Sequence, residues 1–275
     1  MEEILQKIFP NSAEKAVDSV LNLYEKQWFV ISNFIYFAII KEQKLFESTK
    51  KTTLQKDYYK AITKWDFLLP DGIALQMFYR LANRRFSLPT KNLSNLNGTD
   101  FVPYFLDEIK KRYGSQRISI SLYWAKKEIV QEVKNTFSYK WFEVSYIQDW
   151  YSEFDRESFK KSKNNNEEVL NILLVAMSTP TNPIQELRTM KNYYKIKESN
   201  LIVFTVWWLF DFLAWESPNN SVKKWTHKRA PKFVRKIKLE WLWRFITDPK
   251  RNYKKVKNSF AVFPYIFRYL LLKKD

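Results

Sequence analysis

Short, largely apolar runs alternate along this chain with stretches in which apolar residues return every three or four positions. The runs FVISNFIYF from Phe29, ISISLY at 118–123, NILLVAM at 171–177 and NLIVFTV at 200–206 are rich in β-branched and aromatic residues. The last two are continuously apolar, as expected of strands covered on both faces of a parallel sheet. Residues 11–27 carry the helical pattern, with Ala13, Ala16, Val17, Val20, Leu21 and Tyr24 on one face and Ser12 as N-cap. DFVPYFLDEIKKRY, with Asp100 as its N-cap, and AKKEIVQEVKNTF from Ala125 repeat that spacing. Strand and helix in alternation predict an α/β domain with a mostly parallel sheet. KSKNNNEE at 161–168 has no apolar residue and reads as a surface connection. After about residue 220 the pattern changes to basic helical segments, so a core at 1–220 and an appendage at 221–275 are expected.

Charge sharpens that division. From Lys223 onward there are 17 Lys and Arg against Glu240, Asp248 and Asp275, so +14 of the chain's +18 lies in the last segment. A positive field so placed calls for an anionic partner: a diphosphate, a lipid headgroup or a nucleic acid. The nearly neutral first 222 residues and the lack of a reader motif argue against nucleic acid. Residues 254–275 interleave cations with Phe260, Phe263, Tyr265, Ile266, Phe267 and Leu270–Leu272. The stretch is too short to span a bilayer and is interrupted by Pro264, yet it suits an anionic membrane interface; a helix packed on the core is the competing reading. With no 18-residue apolar run and an acidic N-terminus, neither a transmembrane helix nor a signal peptide is expected, which places the chain in the cytoplasm. Cysteine is absent and His227 is the single histidine, so disulfides, thiolate metal sites and His clusters are excluded.

Candidate chemistry begins at LLPDGIALQMFYRL, where Asp71 and Gly72 close an apolar run just before a helical pattern. Ligands of open α/β sheets bind at the carboxyl ends of strands, although Asp-Gly is also ordinary turn chemistry. NGTDF (97–101), PIQE (183–186), FDFLA (210–214), KRAPKF (228–233) and LEWLWRFITDPKR (239–251) follow in order. Together with LLPDG these segments closely resemble the WecG/TagA/CpsF glycosyltransferase family over roughly residues 11–254. The resemblance implies a Rossmann-like core whose C-terminal helical appendage completes the active site. It implies inverting, metal-independent and cofactor-free transfer of an N-acetylmannosamine-type sugar from a UDP donor. The acceptor would be a sugar on a polyprenyl diphosphate at the inner face of the membrane, in polysaccharide or teichoic acid synthesis.

Carried over by motif, Asp71 matches the general base. Arg244, Arg251 and Lys254 match cations that meet the diphosphate, with lysine at 254 where arginine is more usual. Gly72, Thr99, Asp100, Gln185, Glu186, Asp211 and Arg229 fall in motifs that shape the donor or acceptor pocket. Relatives also carry a threonine segment before the PDG acid; here residues 39–60 are longer, and Thr49, Thr52 and Thr53 are candidates by type alone. Oligomeric state stays open.

Two counts stand apart. Average usage would give about 19 glycines in this length; there are 3, beside 11 tryptophans. Where the family reads GVGxxFDFLAG this chain has TVWWLFDFLAW, so Trp207 or Trp208, and Trp215, fall on glycine positions. Trp124 and Trp150 also fall on family glycines, and Trp28 is a further candidate, whereas Trp241 is a family tryptophan. A UGA codon read as glycine in the native organism, but written as tryptophan, accounts for both counts. Ser178 and Lys238 also replace expected glycines, which that idea leaves unexplained. If the tryptophans are real, the nucleotide pocket is partly filled and the protein is a non-catalytic relative.

Overall fold

The computed structural model describes residues 2–37, 64–149, 151–176, 200–206, 208–219, 221–222, 230–231, 233–234, 239–247, 249, 253 and 263–264. Helix α1 (Glu2–Lys7) precedes α2 (Ala13–Gln27), whose first turn is capped as the sequence predicts: Ser12 Oγ accepts the Lys15 N–H at 3.4 Å. The apolar stripe of α2, from Ala16 to Tyr24, is buried. Tyr24 Oη donates to Asn200 Oδ1, pinning the helix to the start of a distant strand, and burial pushes its hydroxyl up to about 12.

Among the described residues six strands form one sheet: β1 (Phe29–Ile35), β2 (Phe67–Pro70), β3 (Ile118–Tyr123), β4 (Glu143–Gln148), β5 (Leu170–Val175) and β6 (Leu201–Thr205). All pair in parallel, in the order β2-β1-β6-β5-β3-β4. Every residue of β1, β3 and β5 is buried, because helices cover both faces. Burial of each Leu, Ile or Val side chain there contributes about 1.5–3 kcal/mol. The edge strand β4 has no unbroken apolar run to announce it: EVSYIQ buries only Tyr146.

Among the described residues the core also holds helices α3 (Ile73–Ala82), α4 (Gly98–Tyr113), α5 (Lys127–Tyr139), α6 (Arg156–Ser162) and α7 (Leu209–Trp215). Two predicted helix starts shift. The cap of α4 is Asn97, not Asp100: Asn97 Oδ1 accepts the Asp100 N–H at 3.0 Å and the Thr99 hydroxyl at 2.6 Å. An amide at 97 satisfies the first turn earlier than a carboxylate at 100 can. Helix α5 starts at Lys127 because Trp124 holds a left-handed backbone, φ 78°, that no helix continues through. The 161–168 segment ends α6 and then forms a polar loop in which Asn171 Nδ2 donates to Asn164 O at 2.8 Å.

Packing with the core runs slightly past residue 220. Glu132 on α5 accepts hydroxyls from Ser217 and Ser221, and Val222 is buried. Of the appendage, helix α8 (Glu240–Thr247) is the longest described element. Phe233, Ile246, Tyr253 and Phe263 are exposed there. Among the described residues no helix is long and apolar enough to cross a membrane.

Candidate active site

The six strands end nearly level. Pro70 pairs with Ile35, Asn33 with Thr205, Val175 with both Thr205 and Tyr123, and Tyr123 with Gln148. Along this edge the chain diverges twice. From β3 it goes outward to β4, while from β5 it goes the other way to β6. From β1 it goes to β2, whereas from β6 it enters α7, which packs on α5 through the Thr136 hydroxyl bonded to Leu213 O at 2.8 Å. Such divergences open crevices outside the carboxyl ends of strands, where ligands of doubly wound sheets bind.

Asp71 stands at this edge. It leaves the end of β2, its N–H held by Ile35 O at 2.8 Å, and its side chain is partly exposed. Gly72 then turns the chain into α3 with φ 88° and ψ 152°, a region essentially closed to side-chain-bearing residues. Among the described residues nothing lies within 4 Å of a Cβ built at position 72. The turn is fixed from outside: Gly72 N–H donates to Asn95 Oδ1 at 2.9 Å, and Leu96 N–H to Pro70 O at 2.8 Å. Two residues on, the Asn97 amide caps α4 and donates to Asp100 Oδ2 at 2.8 Å. Gly98 lies against the Phe34 ring, where a Cβ would come within 3.0 Å. Thr99 and Asp100 are thereby brought to the same corner as Asp71, and the contacts just given hold them in the first turn of α4.

Asp211 lies in the first turn of α7, just past the end of β6 and two strands from Asp71. Between them sits a polar pair that the sequence reading passed over: Thr205 Oγ1 donates to Asn33 Oδ1, which also accepts the Phe34 N–H at 2.9 Å. Asn33 is buried, and its one visible signal was an amide inside an apolar run. Asn95 was not legible at all, since its role exists only across the loop. Arg244 lies on α8. Gln185, Glu186, Arg229, Arg251 and Lys254, together with Thr49, Thr52 and Thr53, lie outside the described residues. Among the described residues no group of three His, Cys, Asp or Glu side chains could hold a metal ion.

An all-parallel α/β sheet with an acid and a glycine turn at the carboxyl end of one strand has the architecture of a ligand-binding α/β enzyme. The chain belongs to the glycosyl transferase WecG/TagA/CpsF family, whose pattern matches residues 15–275. It is 25% identical over 198 residues to the N-acetylglucosaminyldiphosphoundecaprenol N-acetyl-beta-D-mannosaminyltransferase of Bacillus subtilis (strain 168). That match takes in 71% of this chain and 66% of the relative, just under two thirds of its length.

Proposed function

We propose that this protein transfers an N-acetylmannosamine-type sugar from UDP to a sugar carried on a polyprenyl diphosphate, with inversion at the anomeric carbon. Asp71 takes the proton of the acceptor hydroxyl as that oxygen bonds to the anomeric carbon. The bond from this carbon to the diphosphate oxygen breaks, and its electron pair leaves with UDP. Arg244, Arg251 and Lys254 offset the charge growing on the departing diphosphate. Arginine does so bidentately and lysine as a point charge, so Lys254 contributes less geometry. Gly72, Thr99 and Asp100 line the acceptor corner beside Asp71, while Gln185, Glu186, Asp211 and Arg229 shape the remaining pocket.

The observation that carries this reading is Asp71 itself, partly exposed at the carboxyl end of β2, beside a glycine turn fixed by two hydrogen bonds. The name of the Bacillus relative supports the sugar and the acceptor class. With UDP-N-acetylmannosamine and a short prenyl-diphosphate-linked N-acetylglucosamine, Asp71→Asn should lower kcat by roughly 10²–10⁴-fold with little change in KM. An unchanged kcat would remove Asp71 from the chemistry.

One observation favours a second reading, a non-catalytic relative with a filled nucleotide crevice. The side chain of Trp124 is buried at the carboxyl end of β3, beside the divergence of β3 and β5. Titration of UDP-sugar into protein purified from its own organism separates the two, because only the enzyme reading requires binding.

A further inference from the structure

Among the described residues, four that are not glycine have φ in the left-handed region: Trp28 (57°), Trp124 (78°), Trp141 (66°) and Asn200 (56°). Asparagine is the side-chain-bearing residue that most readily adopts this conformation, whereas a bulky indole there is an outlier. A residue type with 11 places in 275 thus supplies three of the four. Two of the chain's three glycines, Gly72 and Gly114, also have positive φ.

The local hydrogen bonding shows what each position is. Helix α5 ends in a Schellman motif: Phe142 N–H donates to Phe137 O at 3.0 Å and Trp141 N–H to Ser138 O at 3.0 Å. The apolar contact that accompanies such motifs is present, with the Phe137 and Phe142 rings edge to face at 6.0 Å. Position 141 is therefore the left-handed seat that glycine usually fills. Its indole is 80% exposed, so no packing compensates for the strained backbone.

Helix α2 ends in the simpler left-handed motif, a single bond from Trp28 N–H to Tyr24 O at 2.7 Å. Helix α4 ends with the same spacing, Gly114 N–H to Lys110 O at 2.9 Å, and there the residue of positive φ is a glycine, in a more extended backbone with ψ 151°. Position 124 makes the sharp turn from β3 towards α5, its N–H on Gln148 O at 3.0 Å.

We infer that positions 28, 124 and 141 are glycine in the working protein, and that the codons written here as tryptophan are UGA codons that the parent organism reads as glycine. The inference stands on backbone geometry and is independent of the reaction proposed above. It reaches Trp141, which no motif singled out. It does not extend to Trp208 or Trp215, whose places, at φ −89° and within α7, are right-handed and open to any residue. Trp150 and Trp207 lie outside the described residues.

The decisive experiment is tandem mass spectrometry of the protein purified from the organism that carries the gene, on peptides covering the three positions. Glycine at all three is expected. Tryptophan at any of them, or UGG codons there in the gene, would overturn the inference. A second measurement uses the chain as written, expressed with tryptophan at these sites. Trp28→Gly and Trp141→Gly should each raise Tm by a few degrees, because the left-handed backbone is then relaxed. As a control, Trp243→Gly inside α8 should not raise it. A fall in Tm for both terminal-seat variants would mean that glycine is not what those backbones require.

Discussion

Glu132 on α5 is a carboxylate at only 5% exposure, and its environment decides its charge. Burial alone would raise its carboxyl. The hydroxyls of Ser217 and Ser221, with the Asn135 amide at 3.4 Å, outweigh burial and hold it below the usual carboxylate range. A group lowered in this way stabilises the fold fully above the unfolded value of ~4.3, and that contribution is lost as pH falls through the lower folded value. Glu132→Gln should abolish this part of the acid sensitivity. It should also cost about 1–3 kcal/mol near neutral pH, because an amide nitrogen then faces one of two seryl donors. Urea midpoints of both proteins, near neutral pH and in mild acid, check the sign and the size. Of these partners the sequence showed only residue types: Ser217 and Ser221 lie far from Glu132 in the chain, so the cluster exists only in the folded state.

At the scale of elements, the corner that presents Asp71 depends on the cap of α4. Asn97 holds the Asp100 N–H, the Thr99 hydroxyl and the Asp100 carboxylate together. Asn97→Ala should destabilise the protein by about 1 kcal/mol, seen as a lower urea midpoint at unchanged slope. The sequence placed this cap three residues late because Asp100 is itself a good capping type, and local propensity does not choose between two good caps. The four largely apolar runs were legible because strands buried on both faces are mostly apolar, although β1 and β3 also bury Ser32, Asn33, Ser119 and Ser121. Strand β4 was missed for the converse reason: at the sheet edge only Tyr146 needs burial, so EVSYIQ carries no strong pattern.

At the scale of the whole molecule, +14 of the chain's +18 lies after residue 222, and we propose that this charge turns that segment towards an anionic surface. Exposed Phe233, Ile246, Tyr253 and Phe263 accompany the cations of that segment, a combination suited to an anionic lipid surface where a polyprenyl-linked acceptor would reside. The full chain should float with anionic liposomes, and a chain ending at Asn258 should float markedly less. Equal flotation would assign residues 259–275 to packing on the core instead. Added salt should weaken flotation of the full chain, since the attraction is partly electrostatic.

The sequence by itself determined the α/β class, the buried strands and the family, because burial and motif order are written residue by residue. Tertiary structure alone decided the strand order, the two divergences along the carboxyl edge, and the clamp of Asn95 on Gly72. It also decided which tryptophans occupy left-handed backbone. Those features depend on hydrogen bonds between residues distant in sequence and on dihedral angles, and neither is encoded in hydrophobic pattern or residue type.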